Sequence, residues 1–332
     1  GEYLAHRSPD LSSDMTYLVT GGTGFIGSQL VRRLVSDGAE VHLLVRPEAR
    51  RWRIDDLLDR VTCHVSDLTD SESLREIVEK IRPTVVYHLA THGAYSYQDE
   101  PDRIIATNFL GTWNLLKSLA GVEYRLFVNT GSSSEYGFKN DRMLETDLLE
   151  PASYYAVAKC SQTLLCHHVA RDHGKPVVTL RLFSVYGPYE EPGRFVPTLM
   201  KALHLQGRLN LVAPDVARDL IHVDDVVDAY LLVNRLVECG GEVINIGTGV
   251  QSSIKDVVAA AIAVTGRTAD LRWGEMKPRI WDATTWVADV SKARQRLGWA
   301  PRFNLDQGLL STWTWFKDHH DLYATAAPEA RS

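Results

Sequence analysis

Short apolar runs alternate with amphipathic stretches along most of the chain. Strand-like runs fall at residues 17–20, 41–45, 61–65, 84–90, 126–130 and 177–183. Helical periodicity falls between them, at 26–35, 71–81, 104–119 and 154–173. In the first helix Ile26, Leu30, Val31, Leu34 and Val35 share one side, and Gly38 ends it. The run 84–90 is nearly all apolar, as expected of a strand covered on both faces. Regular alternation of this kind predicts an α/β fold, a Rossmann-type doubly wound parallel sheet.

The rhythm changes after Phe183, where Pro188, Pro192, Gly193 and Pro197 crowd together. A helix is expected at 196–206, and a helix at 223–237 with a strand at 243–246 returns to the main sheet. Further helices are expected at 254–264, 291–297 and 305–319. The expected division is a dinucleotide-binding domain, 15–183 with 220–250, and a smaller C-terminal substrate-binding domain, 184–219 with 251–320. Residues 1–14 are polar and read as a leader or tag before Met15, and 321–332 read as a loose tail.

Composition narrows the function. Hydrophobic residues at 45% and charged residues at 23% exclude a disordered chain, a fibre or a coiled coil. The net charge is 36 − 42 = −6, which gives no basic excess for nucleic acid or an anionic membrane surface. No apolar stretch is long enough to span a bilayer. Cys63, Cys160, Cys166 and Cys239 form no CxxC pair and lie at no zinc-ligand spacing, so no metal site is expected. A reducing, cytoplasmic setting fits them.

The first strand runs into Gly21-Gly22-Thr23-Gly24-Phe25-Ile26-Gly27. Gly21 permits a tight turn, Gly24 lets backbone approach a pyrophosphate, and Gly27 allows close helix packing. The helix start then offers N–H groups to phosphate. No acid stands at the tip of the second strand to hold an adenosine 2′-hydroxyl; Arg46 stands there, with Arg50 and Arg51 nearby. That favours NADP(H) over NAD(H), through a 2′-phosphate paired with guanidinium. Asp67 is placed either to meet the adenine or to start a helix.

Tyr155 and Lys159 form a Tyr-x-x-x-Lys pair, which puts both on one helix face. A nearby ammonium favours phenolate, so the tyrosine can exchange a proton with an alcohol or carbonyl oxygen while hydride moves.

With the glycine loop, this pair resembles the extended short-chain dehydrogenase/reductases of the nucleotide-sugar epimerase/dehydratase superfamily. Further matches are His88-Leu89-Ala90, Asn108-x-x-Gly111-Thr112-x-Asn114-Leu115, Val185-Tyr186-Gly187-Pro188, Arg218-Asp219 before Val223-Asp224-Asp225-Val226, and Ala288-Asp289 before Leu297-Gly298-Trp299. The resemblance implies Tyr155 as acid/base, Lys159 as its tuner and holder of the nicotinamide ribose, and Ser132 as hydrogen-bond partner of the reacting oxygen, with Ser133 second. It implies cofactor contacts at Gly21, Thr23, Gly24, Phe25, Ile26, Gly27, Arg46, Asp67, Leu68, Leu89, Ala90 and Asn108. It implies a nucleoside diphosphate sugar held by Arg218, with Arg279 and Arg194 as further clamps. Ser184 replaces the usual Asn before Val-Tyr-Gly-Pro, and His92, Tyr95, Ser133 and Trp281 are candidates to line the pocket.

Family members that dehydrate carry acids two or three residues before the Tyr-Gly, where this chain has Ser133 and Ser134; Glu135 is restored to that role only by a gap. The segment Gly131–Gly137 resembles that of 4-keto-6-deoxy sugar nucleotide reductases. A 4-ketoreductase is therefore the first expectation, a 4-epimerase with retained NAD the alternative. A 4,6-dehydratase, a cofactor-binding sensor and a reductase of small carbonyl compounds follow. The family also implies a homodimer through the helices after Asn108 and carrying Tyr155, with Leu164, Leu165 and Val169 as an outer stripe or facing the sheet.

Overall fold

The computed structural model describes residues 15–236, 238–279 and 282–326. The expected leader, Val237, Trp281 and the tail from 327 onward lie outside the described residues. The elements run β1 (Thr16–Thr20), α1 (Phe25–Ser36), β2 (Glu40–Val45), β3 (Thr62–Val65), α2 (Ser71–Ile81), β4 (Val85–His88), α3 (Pro101–Ile105), a π segment (Ala106–Leu110), α4 (Gly111–Ser118), β5 (Leu126–Ser132), α5 (Tyr154–Asp172) and β6 (Val177–Leu182). They continue with β7 (Ser184–Tyr186), α6 (Phe195–Leu205), β8 (Arg208–Leu211), β9 (Ala217–Arg218), β10 (Leu220–His222), α7 (Val223–Leu232), β11 (Val243–Ile246), β12 (Ser252–Ser253), α8 (Ile254–Thr265), β13 (Asp270–Trp273), α9 (Ser291–Leu297) and α10 (Leu305–Ala326).

Seven strands form one parallel sheet in the order β11-β6-β5-β4-β1-β2-β3, the doubly wound arrangement that the alternation predicts. The order reverses between β1 and β4, which pair from Tyr17 opposite Val85 to Thr20 opposite His88. Ligands of such sheets bind beyond the strand ends at this switch point.

The chain divides into two compact units. The first comprises residues up to Gly131, Ser153–Leu180 and Val227–Val243. Its core joins Leu18, Leu44, Val86 and Phe127 of the strands to Leu74 and Val78 of α2, Leu115 and Leu116 of α4, and Cys166 and Val169 of α5. Helix starts are fixed locally: Asp70 accepts from Ser73 N at 3.1 Å, and Ser153 accepts from Ala156 N at 3.1 Å.

The second unit comprises Ser132–Ala152, Arg181–Val226 and the chain from Ile244. Residues 132–152 belong to it because Met143 N donates to Val287 O and Asp289 N to Met143 O, at 2.8 and 2.9 Å. Tyr136, Met143, Phe183, Trp286, Ala288 and Val290 pack as its core. Three two-stranded pairings, β10–β7, β12–β9 and β13–β8, join short strands that the sequence pattern did not predict.

Two expected boundaries are corrected. The helix expected at 104–119 begins at Pro101, a residue suited to a first turn because its missing N–H has no helical partner there. The π segment interrupts it, and Gly111 N reaches back five residues to Ala106 O. The tail expected to be loose after Asp321 continues α10 to Ala326, because Tyr323 is buried with its ring 5.7 Å from both Trp315 and Phe316.

A buried polar relay crosses the switch point in the first unit. Thr112 Oγ1 donates to Asn108 O at 2.7 Å, so its 2.8 Å contact with His88 Nε2 requires the ring to donate. His88 Nδ1 then accepts from Thr20 Oγ1 at 2.7 Å, and Thr20 Oγ1 accepts from Ala90 N at 3.1 Å. Burial first, and the Lys159 charge second, lower the His88 pKa from 6.5 to about 3. Between those values the unfolded chain takes up a proton that the folded chain refuses. Stability is therefore full above pH 6.5 and falls toward pH 3, at up to about 1.4 kcal/mol per pH unit. We predict that His88→Asn flattens this acid slope. Urea unfolding of both proteins, from neutral to about pH 5, measures it; parallel slopes would rule the relay out as the cause.

Candidate active site

The glycine loop leaves β1 at Thr20 and enters α1. Gly21 has φ +72°, and a side chain there would bring Cβ within 2.6 Å of Ala90 N. A Cβ on Gly27 would lie 2.1 Å from Gly21 O, so helix and turn touch backbone to backbone. Gly24 is the extended residue that opens α1, where no side chain caps the helix and no acid lies in the first turn. Its Cβ would meet only Gly21 O, at 3.2 Å, so one side of the cradle is open. The fit is to an anion such as a pyrophosphate, drawn by N–H groups and the helix dipole.

The other expected cofactor residues lie in the same unit, and the Leu89 and Ala90 backbone passes against Gly21. Leu68 and Leu89 are buried, and Gly111 packs against Leu68, whose Cβ would lie 2.8 Å from an added one. Arg46 is exposed just past β2, as is Arg50. Asp67 is not the helix-start acid, since Asp70 caps α2. Its Oδ1 instead accepts from Thr69 N and Oγ1, at 2.9 and 2.7 Å. Burial raises its pKa, but the Thr69 bonds and the Arg46 and Arg103 charges outweigh that and leave it lowered.

Two further expected contacts also make hydrogen bonds within the fold. Asn108 is fully buried, and its amide grips the loop after β4. Oδ1 accepts from Thr91 Oγ1 and His92 N, at 3.0 and 2.9 Å, while Nδ2 donates to His92 O at 2.7 Å. Its bonds shape the loop that carries Leu89 and Ala90. His92, expected against substrate, is 5% exposed and lies 3.3 Å through Nε2 from Glu100. Tyr95 stacks on Tyr97 with ring centres 5.6 Å apart.

Helix α5 carries Tyr155 and Lys159, the pair expected to transfer a proton. Tyr155 is half-buried, and Gly93 passes so close that an added Cβ would lie 3.4 Å from its ring. Lys159 is 2% exposed. Its Nζ donates to Thr130 O at 2.5 Å and to Gln162 Oε1 at 2.8 Å. Gln162 Nε2 donates to Asn129 Oδ1 at 2.6 Å, and Asn129 Nδ2 to Thr179 Oγ1 at 3.1 Å. The sequence reading missed this chain of support, although Gln162 sits three residues beyond Lys159 on the same helix.

In the second unit, Ser132 ends β5 and opens a tight turn, Ser133–Tyr136. Ser132 N donates to Glu135 Oε1 at 2.7 Å, and Ser134 N to Ser132 Oγ at 3.2 Å. Glu135 Oε2 accepts from Arg181 Nη2 and Nε, at 2.8 and 3.2 Å, with both side chains buried. Burial lowers the Arg181 pKa, but the Glu135 charge and Tyr136 outweigh it and leave it raised. Glu135 is therefore held within the fold, by an ion pair and a backbone hydrogen bond. Ser133 is buried and accepts from Trp286 Nε1–H at 3.0 Å, whereas Ser132 is partly exposed.

Two further arginines act on Arg218 in this unit. Burial lowers the Arg218 pKa, Asp282 opposes the change, and Arg194 and Arg279 add to it. Arg218 Nη2 lies 3.5 Å from Asp282 Oδ1, and its guanidinium lies 5.4 Å from the Trp286 ring centre. Arg194 opens α6 and pairs with Glu190 at 3.6 Å, while Arg279 N donates to Asp282 Oδ2 at 2.7 Å. Next to Arg218, the buried Asp219 accepts from Thr248 N and Oγ1, Gly249 N and Ala288 N, at 2.6 to 3.1 Å. Ser184 is half-exposed in β7, with its N–H on Asp219 O at 3.0 Å. Neither Trp286 nor the role of Asp219 was drawn from the sequence.

Comparison with known proteins agrees with these features. A family model, the NAD dependent epimerase/dehydratase family, matches residues 17–247. A Bacillus subtilis protein described as an uncharacterized UDP-glucose epimerase is 31% identical over 310 residues, covering 89% of this chain and 96% of its own. The UDP-glucose 4-epimerase of Thermotoga maritima, solved with UDP-glucose, superposes with a TM-score of 0.85 at 28% identity, covering 92% of this chain and 100% of its own. The UDP-glucuronic acid 4-epimerase of Bacillus cereus, solved with UDP-glucuronic acid and NAD, has a TM-score of 0.81 at 28% identity, covering 92% and 99%. From its glycine cradle through Tyr155 and Lys159 to β11, this chain belongs to the NAD dependent epimerase/dehydratase family.

Proposed function

We propose that the protein is a nucleotide-sugar 4-epimerase, oxidising and re-reducing carbon 4 of the sugar. The observation that carries this reading is the fate of Glu135. It is the one acid of the Ser132–Tyr136 turn, and its carboxylate is held by Arg181 and Ser132 N. Elimination of water needs a free acid and base, whereas exchange at C4 needs only a tyrosine, a lysine and a hydroxyl. Two similar structures are 4-epimerases, one solved with NAD, which supports the same choice over a reductase.

In this reading Tyr155 takes the proton from the C4 hydroxyl and returns it to the same oxygen. Lys159, fixed on Thr130 O, favours the phenolate form. Ser132 donates a hydrogen bond to that oxygen. Arg218, with Arg194 and Arg279, binds the diphosphate. Gly21 to Gly27 and the start of α1 would hold the pyrophosphate of the dinucleotide, which when bound supplies the hydride acceptor and donor. A second reading, the NADPH-dependent 4-ketoreductase, is favoured by one observation: Arg46 is exposed at the tip of β2, where a 2′-phosphate would be met.

The proposal extends to a homodimer. Tyr154, Val157 and Leu164 are exposed on α5 at helical spacing, and Ile105, Leu110 and Trp113 are exposed on the neighbouring α3–α4 segment. Val169 is buried in the core with Leu165 packed against it, so only Leu164 of the expected stripe faces outward.

Three outcomes are expected. Tyr155→Phe should lower turnover by about two to four orders of magnitude while cofactor affinity is kept; an active variant would sink the assignment. Cofactor released by denaturing the purified protein should be NAD. If NADPH is instead bound, is consumed with a 4-keto sugar nucleotide, and is lost in Arg46→Ala, the reductase reading replaces the first. Light scattering should give a dimer, and Leu164→Glu a monomer; a monomeric parent would discard the interface.

A further inference from the structure

We propose that Ser134 is a positioning residue for the C4 chemistry, one that sets the Ser132 hydroxyl as an outward hydrogen-bond donor; this rests on the role read above for Ser132. A serine hydroxyl has one proton and two lone-pair sites. The Ser134 backbone N–H occupies one such site on Ser132 Oγ, at 3.2 Å. The Ser134 hydroxyl oxygen lies 2.8 Å from the same atom, and either group can donate. If Ser132 gives its proton to Ser134, the pair is closed and Ser132 has no donor left. If Ser134 gives its proton, both acceptor sites of Ser132 are filled and only its O–H remains to be offered.

A carbonyl or alkoxide oxygen accepts hydrogen bonds and cannot donate them. Its approach therefore selects the second arrangement. Two donors on one oxygen also polarise the O–H it presents. The backbone beneath is held still, since Ser132 N donates to Glu135 Oε1 at 2.7 Å and the carboxylate is held by Arg181. Ser133 lies buried with its Oγ accepting from Trp286 Nε1–H, whereas Ser132 is half-buried. Ser134 is half-buried, so water can meet the acceptor sites left on its own hydroxyl.

Ser134→Ala removes the hydroxyl and keeps the backbone bond; Ser134→Thr puts a hydroxyl back. Both are compared with the wild type on UDP-glucose, on UDP-galactose and on a UDP-4-keto sugar. The expected result is a loss of about three- to ten-fold in kcat for Ser134→Ala, with KM within about two-fold, Tm near wild type, and most of the rate recovered in Ser134→Thr. Wild-type kcat in Ser134→Ala overturns the role while the C4 reading stands. So does a loss carried by KM or by unfolding and not recovered by threonine. A wild type inert on all three compounds and on their dTDP counterparts, with cofactor bound, overturns the C4 reading and this role with it.

Discussion

An ammonium group shut away from water must find its solvation in the protein. Lys159 meets that requirement on the Thr130 carbonyl and the Gln162 amide, at 2.5 and 2.8 Å. Desolvating a cation without such partners costs several kcal/mol, roughly. The arrangement of the first unit follows from keeping those partners in place. Gln162 is fixed by Asn129 and Asn129 by Thr179, so α5, β5 and β6 are cross-tied by side chains as well as packed. Thr130 is held further by its hydroxyl contact with Tyr230, 2.6 Å away. A lysine at this depth is a fixed charge, and it is felt as far as His88.

The second unit solves a similar problem with ions. Glu135 and Arg181 are both desolvated, and such a pair is weak evidence for stability but strong evidence for a specified geometry. The pair aligns a turn of three consecutive serines, which could otherwise adopt several hydrogen-bond patterns. Asp219 does the same for its own surroundings, gathering donors from Thr248, Gly249 and Ala288 onto one carboxylate. Burial raises its pKa against the opposing pull of those four bonds. Each anion here organises backbone and leaves the exposed chemistry to neutral or cationic neighbours.

What the sequence made legible was local. The glycine turn, the pair Tyr155 and Lys159, and the alternation of strands and helices are written within short windows, and the sheet order agrees with them. The supports were not legible, because each joins residues far apart in the chain. Glu135 looked like a displaced acid until its partner, 46 residues on, was in view. Asn108 and His92 were expected at ligands, and nothing nearby in the chain announced the bonds between them or the one from His92 to Glu100. The strands between Phe183 and Val223 are two to four residues long, too short for any period to show.

The π segment between α3 and α4 carries one more implication. Its i to i+5 closure, seen in Gly111 N on Ala106 O, puts residues five apart above one another. Ile105 and Leu110 are separated by that interval, and Trp113 follows at ordinary helical spacing. The three therefore share an exposed face although no 3.6-residue repeat connects them. The segment acts as a phase shift within one helix. It turns the inner and outer faces downstream together, so two relatives differing by that single residue would superpose along the axis yet show different side chains to their surroundings.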